Sequence, residues 1–263
     1  MYSQEHLNYL KKIKLNKLLV RLTQFLILIT FIFLWEYLSK HNYINSFIYS
    51  SPSKIFTTIT NLYQDNNLFN HIWITIYETI ISFTLATVLG TFIAIILWYN
   101  KFLFKVFDPY LTILNSLPKV SLGPIIIIIF GANIKSIIIM ALLISLIITI
   151  STVYNGFINT DSNKIKLLQS LGATKWQILI YLVIPANYHV IINALKINVS
   201  MTLIGVIMGE LLVSKQGIGY LINYGSEVFN LNLVFTGIII LIIVSYLMYL
   251  VVANLEKLLI KNK

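Results

Sequence analysis

Glu78, Lys119, Lys196 and Glu210 each stand inside a long run of apolar residues. An ionisable group surrounded by lipid or packed apolar side chains is costly, so each is a candidate for handling solute. Lys119 follows Pro118 in a run that also holds Pro109 and Pro124. Irregular backbone at membrane depth is tolerated only where protein or a water-filled cavity surrounds it. Pro118, Lys119 and Ser121 are therefore candidates to line a translocation path, with Lys119 offering positive charge to an anion. In the competing reading the Lys119 stem lies along apolar surface and its ammonium reaches the cytoplasmic interface. Glu78 lies about two turns inside the outer end of its run, and Glu210 lies near the outer end of another, where it could cap or gate the mouth. Each could instead be an interfacial carboxylate paired with headgroups or with a neighbour such as Lys215. Lys196 faces the same choice, two turns inside the cytoplasmic end.

Other chemistry has little to work with. His6, His41, His71 and His189 are scattered rather than clustered at ligand spacing, so no metal site is expected. No nucleophile–base pair stands out, no catalytic residue is assigned, and no Gly-x4-Gly-Lys-Ser/Thr phosphate loop occurs. ATP hydrolysis by that mechanism is thus excluded for this chain. With no cysteine, disulfide frameworks and thiolate metal sites are excluded too. Gly205-Val-Ile-Met-Gly209 has the small-xxx-small spacing of close helix contact, either at a dimer face or at an internal crossing.

The elements that must position these residues follow from composition. The 263 residues are 58% hydrophobic and 11% charged, with mean hydropathy +0.84. A soluble domain carries about 25% charged residues, so most of this surface does not face water and the class is an all-α membrane protein. A spanning helix needs about 20 apolar residues. Six runs qualify: Leu18–Leu38, Ile72–Tyr99, Val106–Phe130, Ile134–Tyr154, Tyr188–Val213 and Leu231–Ala253. Their apolar residues are continuous rather than alternating, which excludes a β-barrel. The basic residues near the start of the chain, Lys11 to Arg21, are followed by no small-residue cleavage site, so the first span is read as uncleaved.

Orientation comes from the basic residues. With the N-terminus inside, thirteen of nineteen Lys and Arg residues fall in cytoplasmic segments or, for Arg21, at the cytoplasmic edge of the first run, including Lys257, Lys261 and Lys263 at the end of the chain. Lys40, Lys54, Lys135 and Lys215 fall outside, while Lys119 and Lys196 fall in spans. That asymmetry gives N-in and C-in. The net charge of +10 is thus matched to anionic headgroups. Nucleic acid is not an expected partner, because no dense basic face with interleaved aromatics is present.

The chain divides into a cytoplasmic tail at 1–17, a first span at 18–38, an outer segment at 39–70, a five-span core at 71–255 and a tail at 256–263. In the outer segment Pro52 follows Ser50 and Ser51, and Ile55, Ile59 and Leu62 recur at helical spacing. This predicts a short amphipathic helix lying on the outer interface.

The cytoplasmic loop at 155–187 carries the most local information. Ser162 can cap a short helix through Leu171, with Ile165, Leu168 and Leu171 on one face. Gly172 stands where a left-handed C-terminal cap belongs. Thr174 and Gln177 form a capping box for a second helix, which runs apolar until Pro185 stops it. Two helices meeting at a sharp bend make either an interfacial re-entry or a protruding, partly apolar knob that implies a protein partner.

The segment Lys166-Leu-Leu-Gln-Ser-Leu-Gly172-Ala-Thr-Lys-Trp-Gln, continuing to Leu182-Val-Ile-Pro185-Ala, resembles the signature loop of ABC-importer permeases, Glu-Ala-Ala-x3-Gly-x9-Ile-x-Leu-Pro. Gly172 and Pro185 match at the family spacing, Leu182 and Ile184 are aliphatic equivalents, and Lys166, Leu167 and Leu168 replace the Glu-Ala-Ala triplet. Asp108-Pro-Tyr, Leu117-Pro-Lys-Val-Ser-Leu-Gly-Pro124, Phe130-Gly131, Gly209-Glu-Leu-Leu and Gln216-Gly-Ile-Gly-Tyr-Leu-Ile222 resemble the nitrate/sulfonate/taurine-type permeases. The resemblance covers nearly the whole chain.

It implies a type I ABC-importer permease with six transmembrane helices in the bacterial inner membrane. A second permease copy as a homodimer, a cytoplasmic ATP-binding-cassette ATPase holding ATP and Mg, and an extracytoplasmic substrate-binding protein are the implied partners, with no cofactor on this chain. The implied ATPase-coupling residues are Lys166, Leu167, Leu168, Ser170, Leu171, Gly172, Ala173, Trp176 and Pro185. The implied cargo is a sulfonate, taurine, nitrate, bicarbonate or a thiamine-precursor pyrimidine. The alternative is an ion-coupled secondary transporter or channel acting without an ATPase, which predicts paired acids and bases within spans and inverted repeats.

Overall fold

The computed structural model describes residues 4–65 and 67–260, so Lys261 and Lys263 of the basic set lie outside the described residues. Helix α1 (Gln4–Lys40) leads through a short turn of helix, α2 (Ser46–Tyr49), to α3 (Pro52–Gln64). Then come α4 (Leu68–Tyr99), α5 (Lys101–Ser116), a 3-10 turn (Lys119–Leu122), α6 (Gly123–Phe130) and α7 (Ile134–Ile158). The loop at 155–187 folds as α8 (Ser162–Ser170), α9 (Lys175–Ile178), a π turn (Leu179–Val183) and α10 (Ile184–Ala186). The chain ends with α11 (Tyr188–Val213), α12 (Ile218–Glu227) and α13 (Leu231–Ile260). Among the described residues five helices are long and apolar enough to cross a membrane, or six if the bent pair Lys101–Ser116 and Lys119–Phe130 is one span.

Helix α7 is the centre of the bundle, flanked by α4 and α11. Lipid tails are as apolar as leucine, so spans associate through small and polar residues that allow close backbone approach. Helix α4 shows this directly. Its buried stripe is His71, Thr75, Glu78, Thr79, Ser82, Ala86, Gly90 and Ala94, while Trp73, Val88 and Phe92 face outward. The small-xxx-small pair lies at an internal crossing: a Cβ on Gly205 would fall 2.5 Å from Ala141 Cα, and one on Gly209 would fall 2.9 Å from Ile137 Cγ2. Among the described residues helix α1 packs on α2 and α3 and sets Trp35 against Phe235 of α13 at 5.7 Å, and its most apolar stretch is not buried.

Three local features go beyond the sequence reading. The proline-interrupted run Val106–Phe130 breaks into two arms bent by 93°. Leu117 adopts ψ 139° because the ring of Pro118 disfavours helical backbone in the residue before it. Pro124 then sits in the first turn of α6, where its missing N–H costs nothing. Helix α3, capped by Ser51 with Pro52 in its first turn, does not merely lie on the interface. Ile55 is buried, Ile59 and Leu62 pack against a cluster containing Leu68, Ile218 and Ile240, and Phe56 is left facing out. Helix α12 was not anticipated. It begins at Gly217, whose φ of +105° suits glycine, and it buries Ile218 and Leu221 against the bundle.

Candidate functional site

Three constellations carry chemistry, and the loop between α7 and α11 is the best defined. Thr160 and Asn187 close its base, both buried, with the Asn187 amide donating to Thr160 Oγ1 at 2.7 Å. The cap of α8 is Asp161 rather than Ser162: its carboxylate accepts from the Asn163 N–H at 2.9 Å, a stronger anion-assisted cap one residue earlier. At the other end Gly172 has φ +81°, its N–H donates to Gln169 O, and the Ala173 N–H donates to Leu168 O. This paired arrangement is the Schellman motif. Thr174 caps α9, and the capping box with Gln177 is formed in both directions.

Pro185 does not stop the second helix. The residues Leu179–Val183 widen into a π turn, and helix resumes through Pro185 to Ala186. A proline ring clashes with the carbonyl four residues earlier and cannot donate to it, and a wider turn relieves both problems. Beneath the elbow, Ile178, Leu179 and Val183 are buried with Phe157, Val153 and Leu97. Leu168 and Ala173 pack inward on the same cluster. Leu171 does not share the face of Ile165 and Leu168; it is 74% exposed, and Trp176 is 55% exposed. Lys166, Leu167, Ser170, Gly172 and Pro185 are exposed beside them. The elbow is thus a rigid knob with an apolar outer tip, and Lys175 over the Tyr99 ring, at 5.6 Å, ties it to α4.

The second constellation surrounds the bend between α5 and α6. Pro118 and Ser121 are exposed, and Lys119 is half-buried with its Nζ 3.5 Å from Asn115 O. Ser121 closes the turn by donating to Pro118 O at 2.7 Å. Alongside, a cleft of about 160 Å³ is lined by Asp108, Asn115, Ser151 and Tyr154, with the Asn115 amide donating to Ser151 at 2.9 Å.

The third constellation is buried in the outer half of the bundle. Glu210 is 1% exposed and is not an interfacial carboxylate paired with Lys215. Its Oε1 accepts from the Thr75 hydroxyl at 2.6 Å and its Oε2 from the Gly219 N–H at 2.5 Å. Thr75 Oγ1 also accepts from the Ile218 N–H at 2.9 Å, and His71 Nδ1 accepts from the Gly217 N–H at 3.0 Å. Glu78 is fully buried, one turn beyond Thr75 on the same face of α4, so it too is no interfacial group. Lys196 reaches across to an ion pair with Glu256 of α13. Sequence reasoning missed His71, Thr75 and Gly219 as members of this centre. The signal was present, since His71, Thr75 and Glu78 recur at helical spacing in an otherwise apolar span.

Residues 86–261 match the family described as binding-protein-dependent transport system inner membrane component. The chain belongs to that family. This permease is 27% identical over 229 residues to a putative aliphatic sulfonates transport permease protein of Bacillus subtilis, covering 87% of this chain and 83% of the relative. It is also 27% identical to the formylaminopyrimidine transport permease protein of Halalkalibacterium halodurans, covering 86% of this chain and 90% of that one. To the taurine transport system permease protein of Escherichia coli it is 21% identical, covering 74% and 71%. Its fold matches an inward-facing structure of the MetNI methionine ABC transporter with TM-score 0.65 at 19% identity, covering 72% of this chain and 94% of the other. The permease is therefore a multi-pass membrane subunit of an ABC importer with the type I fold. The secondary-transporter alternative is left without support.

Proposed function

We propose that this permease forms, with a second copy of itself, the translocation path for a small polar solute, and that the elbow at 162–187 takes force from a separate ATPase. An extracytoplasmic binding protein supplies the solute, and ATP and Mg reside on the ATPase. The observation that carries this reading is the exposed apolar tip of the knob, Leu171 and Trp176, on a loop held rigid from beneath in a chain of this family. Large apolar side chains presented to water on a fixed support are what a docking partner buries. Leu167 extends the same face, and Lys166 and Ser170 border it.

Pro118, Lys119 and Ser121, beside the polar cleft of Asn115 and Ser151, line the path in this reading. Lys119 beside hydroxyl and amide groups, with the Asp108 carboxylate in the same cleft, suits a strongly polar or anionic solute. The sulfonate, taurine, nitrate, bicarbonate and thiamine-precursor pyrimidine classes fit, in line with what several relatives are named for. The test is reconstitution: a tagged permease brings down an ATPase of different sequence from its native membrane. In vesicles the pair, with its binding protein, takes up a sulfonate or pyrimidine only with ATP. Uptake by the permease alone on an ion gradient would overturn the reading. Trp176→Ala leaves the permease folded and weakens ATPase capture by about tenfold or more, as loss of a buried aromatic anchor does.

A further inference from the structure

Glu78 is a fully buried carboxyl group to which no protein donor is offered: neither of its oxygens has a hydrogen-bond partner. It lies about 15 Å along α4 from the outer end, taking 1.5 Å per residue, and one turn beyond Thr75 on the same buried face, where Thr75 bonds the Glu210 carboxyl at 2.6 Å. Among the described residues the ion pair found is Lys196 with Glu256, so neither glutamate has a cationic partner. Two bare carboxylates side by side in a packed interior combine the cost of burying each charge with their mutual repulsion.

The hydrogen bonds favour Glu210 as the one that carries the charge. Glu210 Oε2 accepts from a backbone N–H, which can only donate. Its Oε1 faces the Thr75 hydroxyl at 2.6 Å. That hydroxyl has one proton and accepts from the Ile218 N–H, and its other acceptor, His71 O, is farther at 3.2 Å. The proton of Thr75 therefore points to Glu210. Both Glu210 oxygens are acceptors, as an ionised carboxylate requires. His71 accepts at Nδ1 from the Gly217 N–H, so it is a neutral imidazole, stacked on Tyr220 at 5.8 Å, and is not the missing cation.

We propose that Glu78 is a neutral acid that donates its proton to Glu210, and that this single shared proton clasps α4 to the α11–α12 turn. The O–H···O⁻ bond between an acid and a carboxylate is among the stronger hydrogen bonds a protein makes. It supplies Glu210 with a third donor and leaves one buried negative charge instead of two. A metal ion in the same place is disfavoured by space. A Cβ on Gly219 would fall 2.7 Å from Glu210 Cβ and 2.9 Å from its Oε2, so the backbone already presses on the carboxylate. A hard cation needs six or so oxygens around it. With His71–Gly217, Thr75–Ile218 and Glu210–Gly219, the clasp makes the outer ends of α4, α11 and α12 one rigid piece. This does not depend on which ATPase or cargo the permease uses.

The test is infrared spectroscopy of the purified permease at neutral pH, joined to its melting temperature in detergent. The wild type shows a carboxylic acid C=O band that disappears in Glu78→Gln. The glutamine keeps an N–H donor for Glu210, so its melting temperature stays within a few degrees of wild type, whereas Glu78→Leu, of similar bulk and no donor, melts several degrees lower or fails to fold. Absence of the acid band in the wild type, or its persistence in Glu78→Gln, overturns the proposal. So does a Glu78→Leu variant that melts above Glu78→Gln, or a melting temperature that rises with sodium in the wild type but not in Glu78→Gln.

Discussion

A Cβ built on Gly172 meets no heavy atom within 4 Å, yet the φ of +81° is a conformation that L side chains rarely adopt. The barrier to substitution there is in the backbone alone, roughly 1–2 kcal/mol for an ordinary residue and more for a β-branched one. Asparagine tolerates the left-handed region, so Gly172→Asn retains ATP-dependent uptake in reconstituted vesicles, and Gly172→Val loses most of it while the protein stays in the membrane. If the two variants behave alike, the bend is not what matters at this position. Gly172, Thr174 and Gln177 were legible in the sequence because their contacts are within five residues. The centre around Glu210 was not: Thr75 is 135 residues away in the chain and His71 is 146 residues from Gly217, and neither distance leaves a local trace. Glu78 and Glu210 were visible as expensive residues, but which group faced which required the fold.

Among the elements, the α7–α11 crossing is set by glycine where a larger residue has nowhere to go. The atoms nearest Gly205 are the Cα, Cβ and N of Ala141, so relief requires moving a helix rather than a side chain. Gly205→Val is therefore expected to cost about 1–3 kcal/mol or more, read as a clear drop in detergent melting temperature. A change at lipid-facing Ile242 to Val leaves the melt unchanged. An unaltered melt for Gly205→Val would show that the crossing is loose. The sequence displayed the Gly-xxx-Gly spacing but could not distinguish a crossing within the chain from one between copies. The existence of the long helices was read from apolar length. The 93° break between α5 and α6 and the π turn before Pro185 were not. A proline announces that the backbone must give, but neighbouring contacts decide whether it gives as a bend, a stop or a widened turn.

At the scale of the whole molecule, the basic residues fix which end of the bundle meets the cytoplasm, and this is independent of any partner. That orientation predicts helix α3 and the loop at 162–187 on opposite sides of the membrane, with Phe56 69% exposed on one and Trp176 55% exposed on the other. The chain has no cysteine, so a single introduced thiol reports its side without background. Phe56→Cys reacts with a membrane-impermeant maleimide in right-side-out vesicles. Trp176→Cys does not react there and labels only in inside-out vesicles. The reverse pattern would mean that thirteen cytoplasmic basic residues had been misassigned and that the knob faces the wrong compartment to meet an ATPase. Adding the ATPase to inside-out vesicles separates topology from docking. Labelling at Ser170→Cys, which keeps the Leu171 and Trp176 anchors, slows on addition if the knob docks, while a cysteine at exposed Tyr99, which lies under Lys175 at the inner end of α4, tests whether the protection extends to the foot of the elbow or stops at its tip.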